Sequence, residues 1–172
     1  MSTAGEGVSI GRLSRLYNLR KTLLVALSGL VLTVQTGHTI MRQLSLEEIA
    51  RHADTIVLGI VTHQESAWDK HHTAIHTDVT VVVERAIVGS PGVEVTFRIA
   101  GGIAGSMGMR TSNDPVFQDG ERVIVFLDTT TVPTSVVGLQ QGKFTIRDNT
   151  VTSAGERLTL DDFIATIRTA VR

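Results

Sequence analysis

From residue 54 onward, apolar and polar positions recur mostly with a period of two, and a helical period appears only just before this region and at its end. Residues 55–62 (TIVLGIVT) are β-branched and apolar, the pattern of a strand buried on both faces. The polar run Trp68-Asp69-Lys70-His71-His72 reads as a hairpin tip, and residues 74–88 return as a long strand. On that strand Ile75, Thr77, Val79, Val81 and Val83 share one face, while His76, Asp78, Thr80, Val82 and Glu84 share the other. After the turn Gly89-Ser90-Pro91-Gly92, the residues Val93, Val95, Phe97 and Ile99 alternate with Glu94, Thr96 and Arg98 in a half-buried strand. Residues 101–118 break the pattern, being glycine-rich and long for a connection. The turn Asp119-Gly120 precedes VIVFL (123–127), a continuous apolar run that predicts a central strand. Residues 135–139 and 143–147 predict two further short strands, with Phe144 and Ile146 inward.

The helical signals lie at the two ends of this region. Ser45-Leu46-Glu47-Glu48 forms a capping box, predicting a helix to about His52 or Ala53 with Leu46 and Ile49 towards the core. Thr159 is placed to cap a last helix on which Leu160, Phe163, Ile164, Ile167 and Val171 share one apolar face. Asp161 and Asp162 then fall in its first turn, where negative charge suits the helix dipole. The expected fold is therefore mainly β: five or six strands in hairpin order, with a long insertion after the third and a helix at each end. A small OB-like Greek-key barrel fits that order best, with a β-sandwich as the alternative.

The N-terminal residues have a different character. Arg12, Arg15, Arg20 and Lys21 precede the uncharged run LLVALSGLVLTV at 23–34. A basic stretch followed by a short apolar segment is how an export signal looks. Twelve apolar residues fall short of the roughly 20 that span a bilayer. Residues 1–37 are thus read as a signal peptide, with an uncleaved membrane anchor as the alternative, and residues 38–172 as one domain. The expected location is extracytoplasmic.

Charge and cysteine content narrow the function. The chain has 16 basic and 17 acidic residues; taking away the leader's four basic and one acidic residue leaves 12 and 16, a net of −4. Such mild acidity argues against nucleic acid, which calls for a basic patch. With no cysteine, the domain has no disulfide, no thiolate metal site and no thiol nucleophile.

Candidate chemistry is sparse. His63, His71, His72 and His76 cluster near one hairpin, and His72 and His76 share strand parity, with Asp78 continuing that face. Such a set suits zinc or copper, although a hairpin face offers a ladder of ligands more readily than a tetrahedral cage. Gly102, Gly105 and Gly108 follow a strand in GGIAGSMGM, but no GK[ST] ending accompanies them, so a phosphate cradle is not indicated. Met107 and Met109 in the same loop are either soft metal ligands or gap-filling side chains. Trp68, the only tryptophan, sits at the hairpin tip as a packing group or a binding contact. No G-x-S-x-G, S-x-x-K or H-E-x-x-H motif occurs.

Several segments taken together carry a resemblance. SLEEIARHADTIVLGIV, the W-D turn, IHTDVTVVVERAIVG, GGIAGSMGMR, PVFQDGERVIVFL and VVGLQQGKF resemble uncharacterised secreted prokaryotic proteins. Their domain is similar to the netrin-like OB barrel of tissue inhibitors of metalloproteinases. The resemblance covers about residues 44–147 and implies a fold rather than an activity. Inhibitors of that kind chelate zinc through an N-terminal cysteine, which this chain lacks, so their mechanism does not carry over.

The expectation is a non-enzymatic, exported interaction module without a cofactor, whose partner is another secreted or envelope protein. Membrane contact would come only through an uncleaved N-terminal segment. The expected contact residues are Trp68, Gly102, Gly105, Met107, Gly108 and Met109, on the 101–117 loop and the neighbouring hairpin tip. The alternatives are an envelope metal-binding protein using His72 and His76 and a hydrolase with an unrecognised site.

Overall fold

The structure, a computed structural model, describes residues 42–172. The basic leader and its apolar run lie outside the described residues. Among the described residues no helix is long and apolar enough to cross a membrane.

The first described element is helix α1 (Leu46–His52), closed by the expected capping box. The Ser45 hydroxyl accepts from the Glu48 amide at 3.1 Å, and Glu48 accepts from the Ser45 amide at 2.9 Å. Strands β1 (Thr55–Trp68) and β2 (Ile75–Val88) follow as a long antiparallel hairpin. Next come β3 (Glu94–Ala100), a small hairpin of β4 (Gly102–Ala104) and β5 (Met107–Met109), then β6 (Arg122–Asp128) and β7 (Ser135–Val136). A 3₁₀ turn (Leu139–Gly142) leads into β8 (Lys143–Arg147), β9 (Thr150–Ser153) and β10 (Glu156–Thr159), and helix α2 (Leu160–Ala170) ends the chain.

Among the described residues the architecture is mainly β, with one eight-stranded sheet, the separate β4–β5 pair and two helices. Antiparallel neighbours of β1 are β2 on one side and β6 on the other. β2 pairs with β3; β3 meets β7 in parallel at Arg98 and Ser135; β7 pairs with β6. These pairings lead back to β1. Strands β8, β9 and β10 continue from β6 as a meander.

Alternation along residues 56–61 of β1 and 123–127 of β6 explains why these stretches are apolar throughout. Ile56, Leu58, Ile124 and Phe126 face a cluster that also holds Ile49, Phe163, Ile164 and Ile167 from the two helices. Their neighbours Val57, Val61, Val123, Val125 and Leu127 face a second cluster with Val79, Val81, Phe97 and Phe117. Each of these stretches is thus buried on both faces. The Phe126–Phe144–Phe163 series, with ring centroids 5.6 and 4.8 Å apart, joins sheet to α2.

Three register shifts bend the β1–β2 hairpin, leaving Thr62 of β1 and Glu84 and Ile87 of β2 unopposed. The shifts bring Ile87 into the helix-side cluster, whereas Val79 and Val81 belong to the other one. Gly59 lies between two of these shifts, and a Cβ there would stand 2.2 Å from the Val82 carbonyl oxygen. Only glycine allows that approach.

Several sequence expectations need correction. β1 does not stop at Thr62 but runs to Trp68, because the polar segment HQESA is paired residue by residue with β2. Among the described residues ten strands replace the expected five or six. β9 and β10 carry little apolar signal of their own and arise from two tight turns, Asp148-Asn149 and Ala154-Gly155. All four of those residues have positive φ, which matches the right-handed twist of a hairpin. The expected strand at 135–139 shrinks to Ser135–Val136, since Gly138 (φ 70°) turns the chain into the 3₁₀ turn. On α2, Leu160, Phe163, Ile164 and Ile167 are buried as expected, but Val171 is the exposed C-cap.

Candidate binding groove

The long connection after β3 is an anchored structure. Its root lies at Gly101 and Gly102, whose φ values of 84° and 134° favour glycine. The Gly101 amide donates to the Ile75 carbonyl at 2.8 Å. Thr77, itself buried, donates its hydroxyl to the Gly101 carbonyl at 2.7 Å and shares a 2.8 Å hydrogen bond with Ser66. A Cβ on Gly102 would stand 2.3 Å from the Thr77 hydroxyl. These glycines therefore turn the chain sharply out of β3. The β4–β5 hairpin, absent from the expectations, reverses through Gly105 (φ 64°) and Ser106.

The connection returns through residues 110–118, which are pinned in turn. Pro115 and Phe117 are buried, and Phe117 meets Phe97 edge-on at 5.2 Å. Beside it lies an ion pair between Lys143 and Glu121 at 2.7 Å, with side chains only 11% and 14% exposed. Glu121 also accepts from the Thr145 hydroxyl at 2.5 Å and the Gln118 amide at 3.1 Å. The Lys143 ammonium reaches the Val116 carbonyl and stands 4.6 Å from the Phe117 ring centre. Burial opposes ionisation of Glu121, but the hydrogen bonds from Lys143 and Thr145 and the Lys143 charge outweigh it, so its carboxyl titrates below the ordinary Glu value.

A groove of about 530 Å³ opens among the end of β3, the β4–β5 hairpin and this returning segment. Ile99, Met109, Pro115 and Phe117 supply apolar lining, while Gln64 and Arg110 are among its polar members. A second hollow of about 560 Å³ shares Arg110, Thr111, Asp114, Pro115 and Val116 with it and reaches Gln140 and Lys143. Ile103, Met107 and Val116 are 74%, 56% and 57% exposed, so large apolar side chains stand in solvent on this one connection.

Of the contact residues expected from sequence, Gly102, Gly108 and Met109 line the groove. Gly105 and Met107 sit on the hairpin beyond it, and Trp68 closes β1 without lining it. Trp68 stacks on His72 with ring centres 6.1 Å apart. Missed by the sequence reading were Gln64 and Ile99, whose roles depend on how distant segments fold together; Arg110 and Pro115 lie in the expected 101–117 loop but were not singled out. Phe117 was the one available signal, as the only aromatic residue in the connection.

The histidines are arranged differently from the expectation. β2 begins at Ile75, so His72 does not share strand parity with His76; it occupies the turn with φ 55°. That turn is held by Asp69, which accepts from the Thr73 amide and hydroxyl at 2.7 and 2.5 Å. Asp78 is engaged by Arg98 through two 2.7 Å bonds. Those bonds hold the Asp78 carboxyl below its ordinary value against the opposing effect of burial. Among the described residues no three His, Cys, Asp or Glu side chains come together to hold a metal ion. A site on His72 and His76 would thus lack a third ligand of these types.

Comparison of the chain with protein-family models, with curated protein sequences and with solved structures finds no significant match.

Proposed function

We propose that residues 38–172 form an exported, non-enzymatic interaction module on a small OB-type barrel, and that it binds another secreted or envelope protein through the groove at the β4–β5 hairpin. The observation that carries the binding reading is the groove itself: an apolar lining on a well-anchored connection, bordered by the solvent-exposed side chains of Ile103, Met107 and Val116. Contiguous exposed apolar surface is characteristic of sites that meet a partner. The polar groups at the groove's base, Ser66 and Thr77, are engaged in holding Gly101. Support for the barrel comes from the strand pairings that lead from β1 through β2, β3, β7 and β6 back to β1, with the parallel β3–β7 contact of a Greek-key crossover. Support for export comes from the basic and apolar leader. The netrin-like resemblance belongs to this proposal as a statement of fold.

The test is affinity capture from the producer's extracellular and envelope fractions. One bait is the native chain and the other carries Ile103→Ser, Met107→Ser and Val116→Ser. All three side chains are exposed, so both baits are expected to share one melting temperature. A protein retained by the native bait and lost from the triple variant is the expected result. Equal retention by both baits, or no retained protein, overturns the proposal.

A further inference from the structure

Building on that reading of the groove, we infer that its occupant is an extended peptide segment of the partner, added to the free edge of β5 and bearing a carboxylate that meets Arg110. The main-chain observation concerns β5. It pairs only with β4, and among the described residues Met107–Met109 make no backbone hydrogen bond outside that hairpin. A strand edge of this kind leaves N–H and C=O groups available to a further strand. Gly108 and Met109 of that edge also line the groove.

Side-chain chemistry fits the same occupant. An extended peptide directs alternate side chains to one side, and Ile99, Met109 and Val116 offer them an apolar surface over the buried Pro115 and Phe117. Arg110 is exposed and takes part in no ion pair or side-chain hydrogen bond among the described residues. The acid nearest to it in sequence, Asp114, accepts from the Thr111 hydroxyl. An unpartnered guanidinium beside an apolar groove favours a ligand with an anionic group, and a planar carboxylate suits its fork geometry. A fatty acid also combines apolar and carboxylate character, but it would make no use of the β5 edge.

The experiment selects a displayed random dodecapeptide library on the full-length chain and measures binding of an enriched synthetic peptide by fluorescence anisotropy. The expected peptides carry apolar residues at alternate positions and one Asp or Glu at a constant offset. Arg110→Gln is expected to weaken binding about tenfold, near 1.4 kcal/mol. Exchanging the peptide's acid for its amide should cost a similar factor, and combining both changes should cost little more than either alone. Failure to enrich any peptide overturns the inference. So does enrichment without an acidic position, indifference to Arg110→Gln, or tight binding of decanoate that competes with no peptide. The groove reading is judged separately, by whether the Ile103, Met107 and Val116 substitutions abolish capture of the whole partner.

Discussion

At the scale of single residues, two positions carry constraints out of proportion to their size. Gly59 has ordinary φ, so turn chemistry does not require it; the Val82 carbonyl does, by leaving no room for a methyl group. Gly59→Ala is expected to destabilise the domain by roughly 1–3 kcal/mol, measured by chemical denaturation. Glu121 is the other. Its carboxyl is depressed relative to an unfolded chain, so the stabilisation it supplies is complete above the ordinary Glu range and disappears as the pH falls through its lower folded value. The melting temperature should therefore hold steady above about pH 5 and decline below it. Glu121→Gln leaves the poorly exposed Lys143 without its counter-charge and should cost about 2–3 kcal/mol at pH 7. That variant should also show a shallower acid decline, since one of the carboxylates responsible is gone. An acid decline unchanged in slope would mean that other carboxylates, such as Asp78 and Asp54, account for it.

At the scale of elements, the connection between β3 and β6 divides into parts with opposite expected behaviour. The β4–β5 hairpin is mostly exposed, and what fixes it is its root at Gly101. Replacing residues 103–108 by a short Gly-Ser link should move the melting temperature by only a few degrees. The returning segment is different. Phe117 fills the valine-rich cluster beside Phe97, and Phe117→Ala should cost about 3–5 kcal/mol. A large loss from the hairpin replacement would mean that β4 and β5 belong to the folding core. Helix α2 was legible except at its end: Thr159 accepts from the Asp162 amide at 3.2 Å, and the buried face is the one its 3.6 period selects up to Ile167, with Val171 left as the exposed C-cap. The β9–β10 hairpin was legible only through its turn residues, because strands of four residues at a sheet margin have too few apolar positions to show a period.

At the scale of the whole domain, two clusters share β1 and β6 as a common wall. Stability should therefore be cooperative across both. Phe163→Ala on α2 removes a ring packed against Phe144 and should lower stability by about 3–5 kcal/mol. Amide exchange would then be expected to accelerate in β1 and β6 as well as in the helix, because those strands face both clusters. Faster exchange confined to α2 would show instead that the helix opens as a separate unit.

What the sequence determined by itself is the set of elements whose signal is local. The capping box at Ser45, the apolar face of the last helix, the alternation of β2 and β3 and the apolar runs at 55–62 and 123–127 are each written within one turn or one strand. The run at 55–62 even announced that something must cover both faces of its strand. Tertiary structure decided the rest. It set where β1 ends, because a polar strand persists only while its partner does. It took His72 off the strand that carries His76 by drawing it into a turn that Asp69 closes. It assembled the groove from Gln64, Ile99, Arg110 and Phe117, residues of separate segments that no periodicity connects. Periodicity reports which way a side chain faces along its own element, whereas a site between elements depends on register, bulges and packing, which arise only when distant segments meet.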